Sequence, residues 1–382
     1  MVHLVSALLG YFVNYRQIVL TADQKEYKIT LNVQGFKVIK VLLQIAAIYY
    51  LSNGYVYWMI LELLMAVTTA VALDKLLKRE YPWLKTIIMQ GGTLRQKYPE
   101  IISKTKQVFF HQIAAFVLFQ TSPLIIYTYA SLTLVAVYGN YMLIITGVTL
   151  LMDALLRSIN AGVGSLVAEG DKERIKKVFW ELTSLRLWLA SVVCFGIYKL
   201  GHSFIILWVG NDFLLEQSAF IVLIAITFIG LSRTNDTFLA AYGLFQDVWA
   251  PVTEAVLNLG LSILLGYYYG LTGILSGVLI SLLVIVCIWK PLFLYKCGFK
   301  ENIGEYVIRL FKYLALIAVS CISISWLGDC LFSNSFHSYG QWCLYAFKLL
   351  VLYTLFSLAL FLCLDKASRS YVIRFKLLLT KK

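Results

Sequence analysis

Apolar runs long enough to cross a lipid bilayer recur along nearly the whole chain. A helix that spans a bilayer needs about 20 mostly apolar residues, and in lipid its backbone polar groups must be hydrogen-bonded internally. Runs of this length predict about eleven spans, near residues 2–20, 36–52, 55–74, 107–128, 134–156, 179–199, 217–239, 250–268, 271–289, 311–328 and 344–364. The sequence therefore predicts an all-α, polytopic membrane helix bundle.

The amino-acid composition excludes the soluble classes of protein. Of 382 residues, 60% are hydrophobic and only 14% are charged, whereas soluble domains have about 25% charged residues. A soluble enzyme, a nucleic-acid-binding protein and a secreted disulfide scaffold are therefore excluded together. The formal net charge of +13 is interpreted first as a signal of membrane orientation, and no nucleic-acid partner is expected.

The basic residues fall almost entirely on one side of the predicted spans. Of 33 Lys and Arg, only Lys199 and Lys348 lie on the other side, which leaves 31 that the positive-inside rule places in the cytoplasm together with the C-terminus. An odd number of spans then puts Met1 outside. We interpret this as the absence of an odd number of preceding helices; a re-entrant segment near residues 1–20 or one wrongly divided helix are the alternatives.

The loops offer little for catalysis. The longest predicted exterior loop contains Asp212 and Glu216, and the next contains Asp329 and His337. No paired-acid site, metal-binding group or nucleophile with its base is expected from so few groups. In the Gly162-Val163-Gly164 motif, Val167 occupies the position of the third glycine of a dinucleotide fingerprint. The sequence predicts neither an enzyme nor a cofactor or metal site.

Glu62 is the most deeply placed acid in the predicted spans. An ionisable side chain in hydrocarbon costs a few kcal/mol (about 3) unless it faces a bundle interior or water. Glu62 therefore has three interpretations: a proton or cation site, a partner for an intramembrane Arg, or a protonated acid packed between helices.

Several other polar residues interrupt the spans. Arg16 follows Asn14 in the first span, and Arg233 precedes Asn235 and Asp236 at the inner end of another. Each arginine either meets an anionic ligand or extends its cation to the inner headgroups.

The span 107–128 and the glycines after it carry two further signals. Gln112, Gln120 and Pro123 fall roughly on one helix face, which predicts a polar stripe that lines a cavity or makes interhelical hydrogen bonds, and a bend at the proline. Gly273 and Gly277 have a small-xxx-small spacing, which predicts close helix contacts that either slide or pack statically.

Three motifs spaced by single spans carry a family resemblance: Val137–Tyr141, Asn160–Ala168 and Phe204–Gly210. With them the chain resembles the second lobe of polysaccharide-repeat flippases. These are O-antigen-type exporters of lipid-linked oligosaccharides in the multidrug/oligosaccharidyl-lipid/polysaccharide exporter superfamily. The segment Ala22–Tyr27 is similar to the family's loop after its fourth helix.

The resemblance implies a two-lobe architecture with an incomplete first lobe. It assigns residues 1–77 to helices four to six of that lobe, so that the first three helices are missing. It further implies a cytoplasmic inter-lobe loop (78–106), a six-helix second lobe (107–290), an additional C-terminal helix pair (291–364) and a basic cytoplasmic tail (365–382). Ser122-Pro123 departs from the acidic and polar pair of relatives, so no ion-coupling role is carried over to it.

The function that the resemblance implies is the flipping of undecaprenyl-diphosphate-linked oligosaccharide across a bacterial inner membrane, for O-antigen or capsule biosynthesis. The expected partners are this substrate, membrane lipids, and the polysaccharide polymerase and chain-length machinery. The expected cavity would attract diphosphate through its arginines and bind hydroxyls through its amides. Its candidate residues are Asn14, Arg16, Glu62, Gln120, Asn140, Arg186, Arg233, Asn235 and Asp236.

Two alternatives stay open. A multidrug cation exporter of the same superfamily would place acids rather than arginines in the cavity. A membrane polysaccharide polymerase or glycosyltransferase would need an exterior loop with a paired-acid site.

Overall fold

The structure, a computed structural model, describes residues 5–6, 8–9, 15–23, 25–84, 91–129, 131–331 and 338–370. Every regular element in this part of the chain is a helix, which confirms the predicted all-α class. Eight helical stretches among these residues are long and apolar enough to cross a membrane. The protein is therefore a multi-pass helical membrane protein.

The chain divides into two compact units, Met1–Tyr98 and Pro99–Lys382. The division falls within residues 78–106, the segment that the resemblance assigns to an inter-lobe loop. The described part of that segment is largely helical, with a short helix at Gly91–Lys97 and the start of the next helix at Pro99.

The first unit is built on a helical hairpin. Helices α1 (Glu26–Tyr50) and α2 (Gly54–Glu80) are joined by three residues. Gly54 allows this tight turn, because a Cβ atom there would lie 2.7 Å from Ile48 Cα. Helix α1 begins ten residues before the predicted span 36–52, so that prediction was too short. Within the predicted span 2–20, the described residues are helical at 5–6 and 8–9, and they then form a short 3₁₀ turn, Tyr15–Gln17, and the first part of the short helix Ile18–Ala22.

The second unit contains the remaining labelled helices. They are α3 (Pro99–Gln120), α4 (Ser122–Tyr129), α5 (Leu132–Glu169), α6 (Lys172–Val209), α7 (Gln217–Leu231), α8 (Thr234–Ala241), α9 (Trp249–Leu282), α10 (Gly304–Leu331) and α11 (Tyr339–Leu364). The predicted bend near Pro123 is present, since α3 ends at Gln120 and α4 begins at Ser122. Proline has no N–H to continue the hydrogen-bond ladder.

Side-chain caps and one glycine define the ends of the two longest α-helices of this unit. The Ser131 hydroxyl accepts a hydrogen bond from the Leu134 N–H at the start of α5. The Asp171 carboxylate accepts one from the Arg174 N–H at the start of α6. Gly170 ends α5 with φ of 79°, a left-handed conformation that favours glycine. Two residues therefore suffice to reverse the chain between two helices of 38 residues each.

Helix α9 is itself a hairpin that folds back at Gly270. That residue has φ of 56° and ψ of −136°, which is accessible to glycine and strained for other residues. The two arms approach so closely that a Cβ on Gly273 would lie 2.0 Å from the Leu265 carbonyl oxygen. The Ser262 hydroxyl donates to the Ile274 carbonyl across the hairpin at 2.9 Å. The predicted close contact of this glycine spacing is thus confirmed, and the two arms correspond to the predicted spans 250–268 and 271–289.

The second arm of α9 continues in two π-helical segments. Leu283–Trp289 and Leu294–Phe299 are π-helical, and one α-helical turn, Lys290–Phe293, lies between them.

Aromatic packing joins the C-terminal helices to the rest of the second unit. Phe195 of α6 stacks on Tyr353 of α11 with ring centroids 4.1 Å apart, and Tyr313 of α10 stacks on Phe361 of α11. Phe179 of α6 lies edge-to-face against Phe238 in the same buried cluster as Tyr313 and Phe361. Helix α6 is therefore the element on which both the cavity-forming helices and the C-terminal helices are assembled.

Candidate functional site

A cavity of about 490 Å³ lies within the second unit, between α4, α5, α7 and α9. Most of its lining is apolar, with five hydroxyl side chains among it: Ser122, Tyr138, Thr146, Thr149 and Thr227. Two charged residues complete the lining, Arg233 and Asp153. The cavity therefore combines an apolar wall with a cation, an anion and several hydrogen-bonding groups, as binding sites for small molecules commonly do.

Helix α5 presents one face to this cavity. Tyr138, Met142, Ile145, Thr149 and Asp153 line it and follow one another at helical spacing. Asn140, which was predicted to bind hydroxyls, is two residues from both Tyr138 and Met142, so its side chain leaves the helix at about 200° from them. Asn140 is half-buried and does not contribute to the cavity wall.

Arg233 lies at a break between α7 and α8. The sequence predicted one continuous span over 217–239, but the Ser232 N–H donates back to the Phe228 and Ile229 carbonyls and ends α7. The side chain of Arg233 reaches Asp236, with Nη1 3.6 Å from Oδ2. Its Nε and Nη2 are buried and have no hydrogen-bond partner among the described residues. Two guanidinium nitrogens are thus available at the edge of the cavity.

Arg186 stabilises this break from the neighbouring helix. It is 8% exposed and donates from Nη1 to the Arg233 carbonyl at 2.9 Å and from Nη2 to the Thr237 hydroxyl at 3.0 Å. The backbone at the break therefore receives a charged hydrogen-bond donor from α6. Arg186 does not line the cavity, and its described contacts join α6 to α8.

Asp236 and Asn235 of α8 have partners in different elements. Asp236 Oδ1 lies 2.9 Å from Lys290 Nζ in the second arm of the α9 hairpin. Asn235 is buried and donates from Nδ2 to the Tyr306 hydroxyl of α10 at 3.0 Å. The structure thus brings Arg186, Arg233 and Asp236 together and turns Asn235 away from them.

Sequence reasoning missed two members of this site. Lys290 was counted among the cations of the cytoplasmic side, and Glu254 was not considered. Glu254 is 7% exposed, its Oε1 has no hydrogen-bond partner in the described part of the chain, and its charged neighbours are Arg233, Asp236 and Lys290. We call Arg186, Arg233, Asp236, Glu254 and Lys290 the charge cluster. Its three cations and two carboxylates give a formal excess of one positive charge.

The sequence contained a signal for Glu254. Glu254, Asn258 and Ser262 are spaced by four residues, so they form a polar stripe on an otherwise apolar helix. All three are buried, and Ser262 contacts Asn258 with its hydroxyl 3.4 Å from Oδ1. Polar side chains at this spacing in a span indicate an interior-facing helix face.

Glu62 lies in the first unit and is described separately. It is 5% exposed, and its carboxylate receives Lys40 Nζ at 2.9 Å and Gln44 Nε2 at 3.1 Å from α1. Lys40 was counted among the 31 cations of the cytoplasmic side, although it falls within the predicted span 36–52; the structure places it in the middle of α1. The ion pair explains why a lysine can occupy that position, because each charge offsets the burial cost of the other.

The remaining residues that were predicted to line the cavity are Arg16, Asn14 and Gln120. Arg16 lies in the 3₁₀ turn of the first unit, where its Nε is 3.4 Å from the Tyr15 hydroxyl. Asn14 and the side chain of Gln120 lie outside the described residues. Where the structure describes the chain, no group of three or more His, Cys, Asp or Glu side chains could hold a metal ion.

Comparison with protein-family models, with curated proteins and with solved structures finds no match to this chain.

Proposed function

We propose that this protein is a flippase for undecaprenyl-diphosphate-linked oligosaccharide in a bacterial inner membrane. The observation that carries the proposal is Arg233, a partly unpartnered, half-buried guanidinium at the edge of an otherwise largely apolar cavity. Arginine matches phosphate oxygens with paired N–H donors, so such a position suits a lipid-linked diphosphate. The resemblance of Val137–Tyr141, Asn160–Ala168 and Phe204–Gly210 to polysaccharide-repeat flippases supports the same substrate class.

The proposal includes a finer architecture than the helical bundle. The chain would have about eleven spans, with residues 1–77 forming part of a first lobe and residues 107–290 forming the second. The excess of Lys and Arg on one side of the spans supports a cytoplasmic C-terminus. Transport would follow from rocking of the lobes about the substrate site, as in other transporters built from repeats.

The cavity offers a cationic group and several hydroxyl groups beside an apolar wall, which suits an amphipathic substrate. Arg233 would bind the diphosphate, and the hydroxyls of Thr146, Thr149 and Thr227 would accept or donate hydrogen bonds with sugar hydroxyls. The charge cluster would hold Arg233 in place, since Asp236 is bound in turn by Lys290. The lipid tail would remain in the bilayer.

The substitution Arg233→Lys tests this role, because lysine keeps the charge but loses the paired donors. A hydrogen bond to a charged group contributes about 1.5–3 kcal/mol, so loss of one should reduce export roughly tenfold or more. The assay measures surface polysaccharide at equal membrane abundance in cells that depend on this chain. Arg79 provides a matched control, since it is exposed at the end of α2; Arg79→Lys should export normally. Normal export by both Arg233→Lys and Arg233→Gln would refute the substrate contact.

A specific observation favours a second candidate function. Asp153 lines the same cavity as Arg233, and an acid in that position suits a multidrug cation exporter of the same superfamily. The two functions separate on Asp153→Asn. Loss of cationic dye efflux with normal polysaccharide would support the drug exporter, whereas normal dye efflux would support the flippase.

A further inference from the structure

A second cleft, of about 530 Å³, lies at one end of the second unit. It is found where α6 and α10 begin and just beyond the end of α11. Its lining consists of Lys172, Glu173, Lys176, Lys177, Trp180, Glu301, Arg309, Lys366, Ala367 and Ser370. These residues lie outside the charge cluster, and neither the cavity nor the proposed transport uses them.

The cleft carries an excess of positive charge. Five cations and two carboxylates line it. Lys176 is paired with Glu301 at 2.6 Å and with Glu305 at 2.7 Å. Lys172, Lys177 and Lys366, in contrast, have no ion-pair partner among the residues that the structure describes, and all three are exposed. Three ammonium groups are therefore available to an anion in the cleft.

Trp180 adds a further donor to the lining. It is 2% exposed, and Arg309 lies over its ring with Cζ 4.6 Å from the centroid. The indole Nε1 is buried and has no hydrogen-bond partner in the described chain. An indole N–H only donates, as ammonium and guanidinium groups do. The ligand that complements this set must therefore be rich in acceptors and negatively charged, which describes a phosphate group.

The position of the cleft indicates where the phosphate comes from. Three helices that are long and apolar enough to cross a membrane begin or end beside it. The ends of such helices lie at the depth of the lipid headgroups. Basic pockets between membrane helices at that depth bind anionic headgroups. We propose that this cleft binds a phosphate group carried by an anionic membrane lipid. The proposal is independent of the transported substrate.

Lipid binding to the full chain purified in detergent tests the proposal. Phosphatidylglycerol, phosphatidylcholine of the same acyl chains and inorganic phosphate are the probes, and native mass spectrometry counts the bound molecules. Each lysine near an anionic headgroup strengthens binding roughly fivefold. The variant Lys172→Gln, Lys177→Gln, Lys366→Gln should therefore bind phosphatidylglycerol at least about tenfold more weakly than wild type, with phosphatidylcholine binding unchanged.

A matched control removes the same charge elsewhere. Lys75, Lys106 and Lys296 are likewise exposed and have no ion-pair partner among the described residues. Their replacement by Gln should leave the preference for phosphatidylglycerol intact, and the arginine variant of the three cleft lysines should retain it too. Equal losses in the cleft and control variants, or no preference in wild type, would overturn the proposal. Inorganic phosphate that binds wild type as tightly as phosphatidylglycerol would overturn the lipid source and assign the site to a soluble phosphate compound.

Discussion

The hairpin of α9 gives the sharpest test of the packing. Gly273 faces the backbone of the opposite arm, and a methyl group at this position would lie 2.0 Å from the Leu265 carbonyl oxygen. Backbone atoms cannot rotate away as a flexible side chain can. The substitution Gly273→Ala must therefore force the two arms apart.

The geometry sets the size of the effect. Ordinary van der Waals contact begins near 3.4 Å, so the arms must separate by the difference from 2.0 Å, about 1.4 Å. Overpacking of a tight interior costs about 1–3 kcal/mol. The separation also lengthens the hydrogen bond from Ser262 to the Ile274 carbonyl, which contributes about 1 kcal/mol more. We expect Gly273→Ala to lower the free energy of unfolding by about 3 kcal/mol.

Gly260 is the matched control in the same hairpin. A Cβ there would meet nothing within 4 Å, and alanine is the better helix former. Gly260→Ala should therefore leave stability unchanged or slightly raised. Unfolding by dodecyl sulfate in mixed micelles, followed by circular dichroism, measures both variants against wild type. If Gly273→Ala unfolds at the same dodecyl sulfate content as Gly260→Ala, the close approach of the arms is refuted.

Two further predictions concern the first unit. Lys40→Met and Glu62→Leu should each lower the free energy of unfolding by about 3 kcal/mol, because each leaves a buried charge without its main partner. The double variant should be less destabilised than the sum of the two single variants, with a coupling energy of about 1–3 kcal/mol in a double-mutant cycle. Additive losses of unfolding free energy would contradict the buried pair. The pKa of Asp23 is held below its usual 3.8 by hydrogen bonds from Lys25 and Tyr81, so its stabilisation is present above that pH and is lost as pH falls through the lowered pKa. Asp23→Asn should be less stable than wild type near neutral pH, and the gap should close below pH 3.8; a pH-independent gap would argue against the interaction.

The sequence predicted the helices well because apolar length is a local property. The turn at Gly270, the bend before Pro123 and the close glycine contact all follow from residues that act on their own backbone. The chain segments 55–74 and 344–364 correspond to helices that extend only a few residues further. Asp74 and Lys75 mark the predicted end of the first segment, whereas the second extends over the uncharged residues 339–343.

The candidate site was harder to predict because its members are paired across helices. Lys40 resembles a loop residue until Glu62 of the neighbouring helix is placed beside it. Lys290 likewise resembles an interfacial cation until Asp236 is found 2.9 Å away. Arg186 was predicted as a ligand for diphosphate, and only the structure shows that its guanidinium donates to the Arg233 carbonyl and to the Thr237 hydroxyl across a helix break. Only the tertiary arrangement distinguishes these roles.

The π-helical segments make the length of the second arm of α9 adjustable at particular places. A turn closed by hydrogen bonds from residue i to i+5 contains one more residue than an α-helical turn. Deletion of a single residue within Leu283–Trp289 can therefore be absorbed by a return of the segment to α-helical geometry, and Lys290 would stay on the side of Asp236. The same deletion in the α-helical part of the arm, Leu271–Leu282, removes no excess residue and would rotate every later residue by about 100°. Lys290 would then point away from Asp236, although its chemical identity would be unchanged.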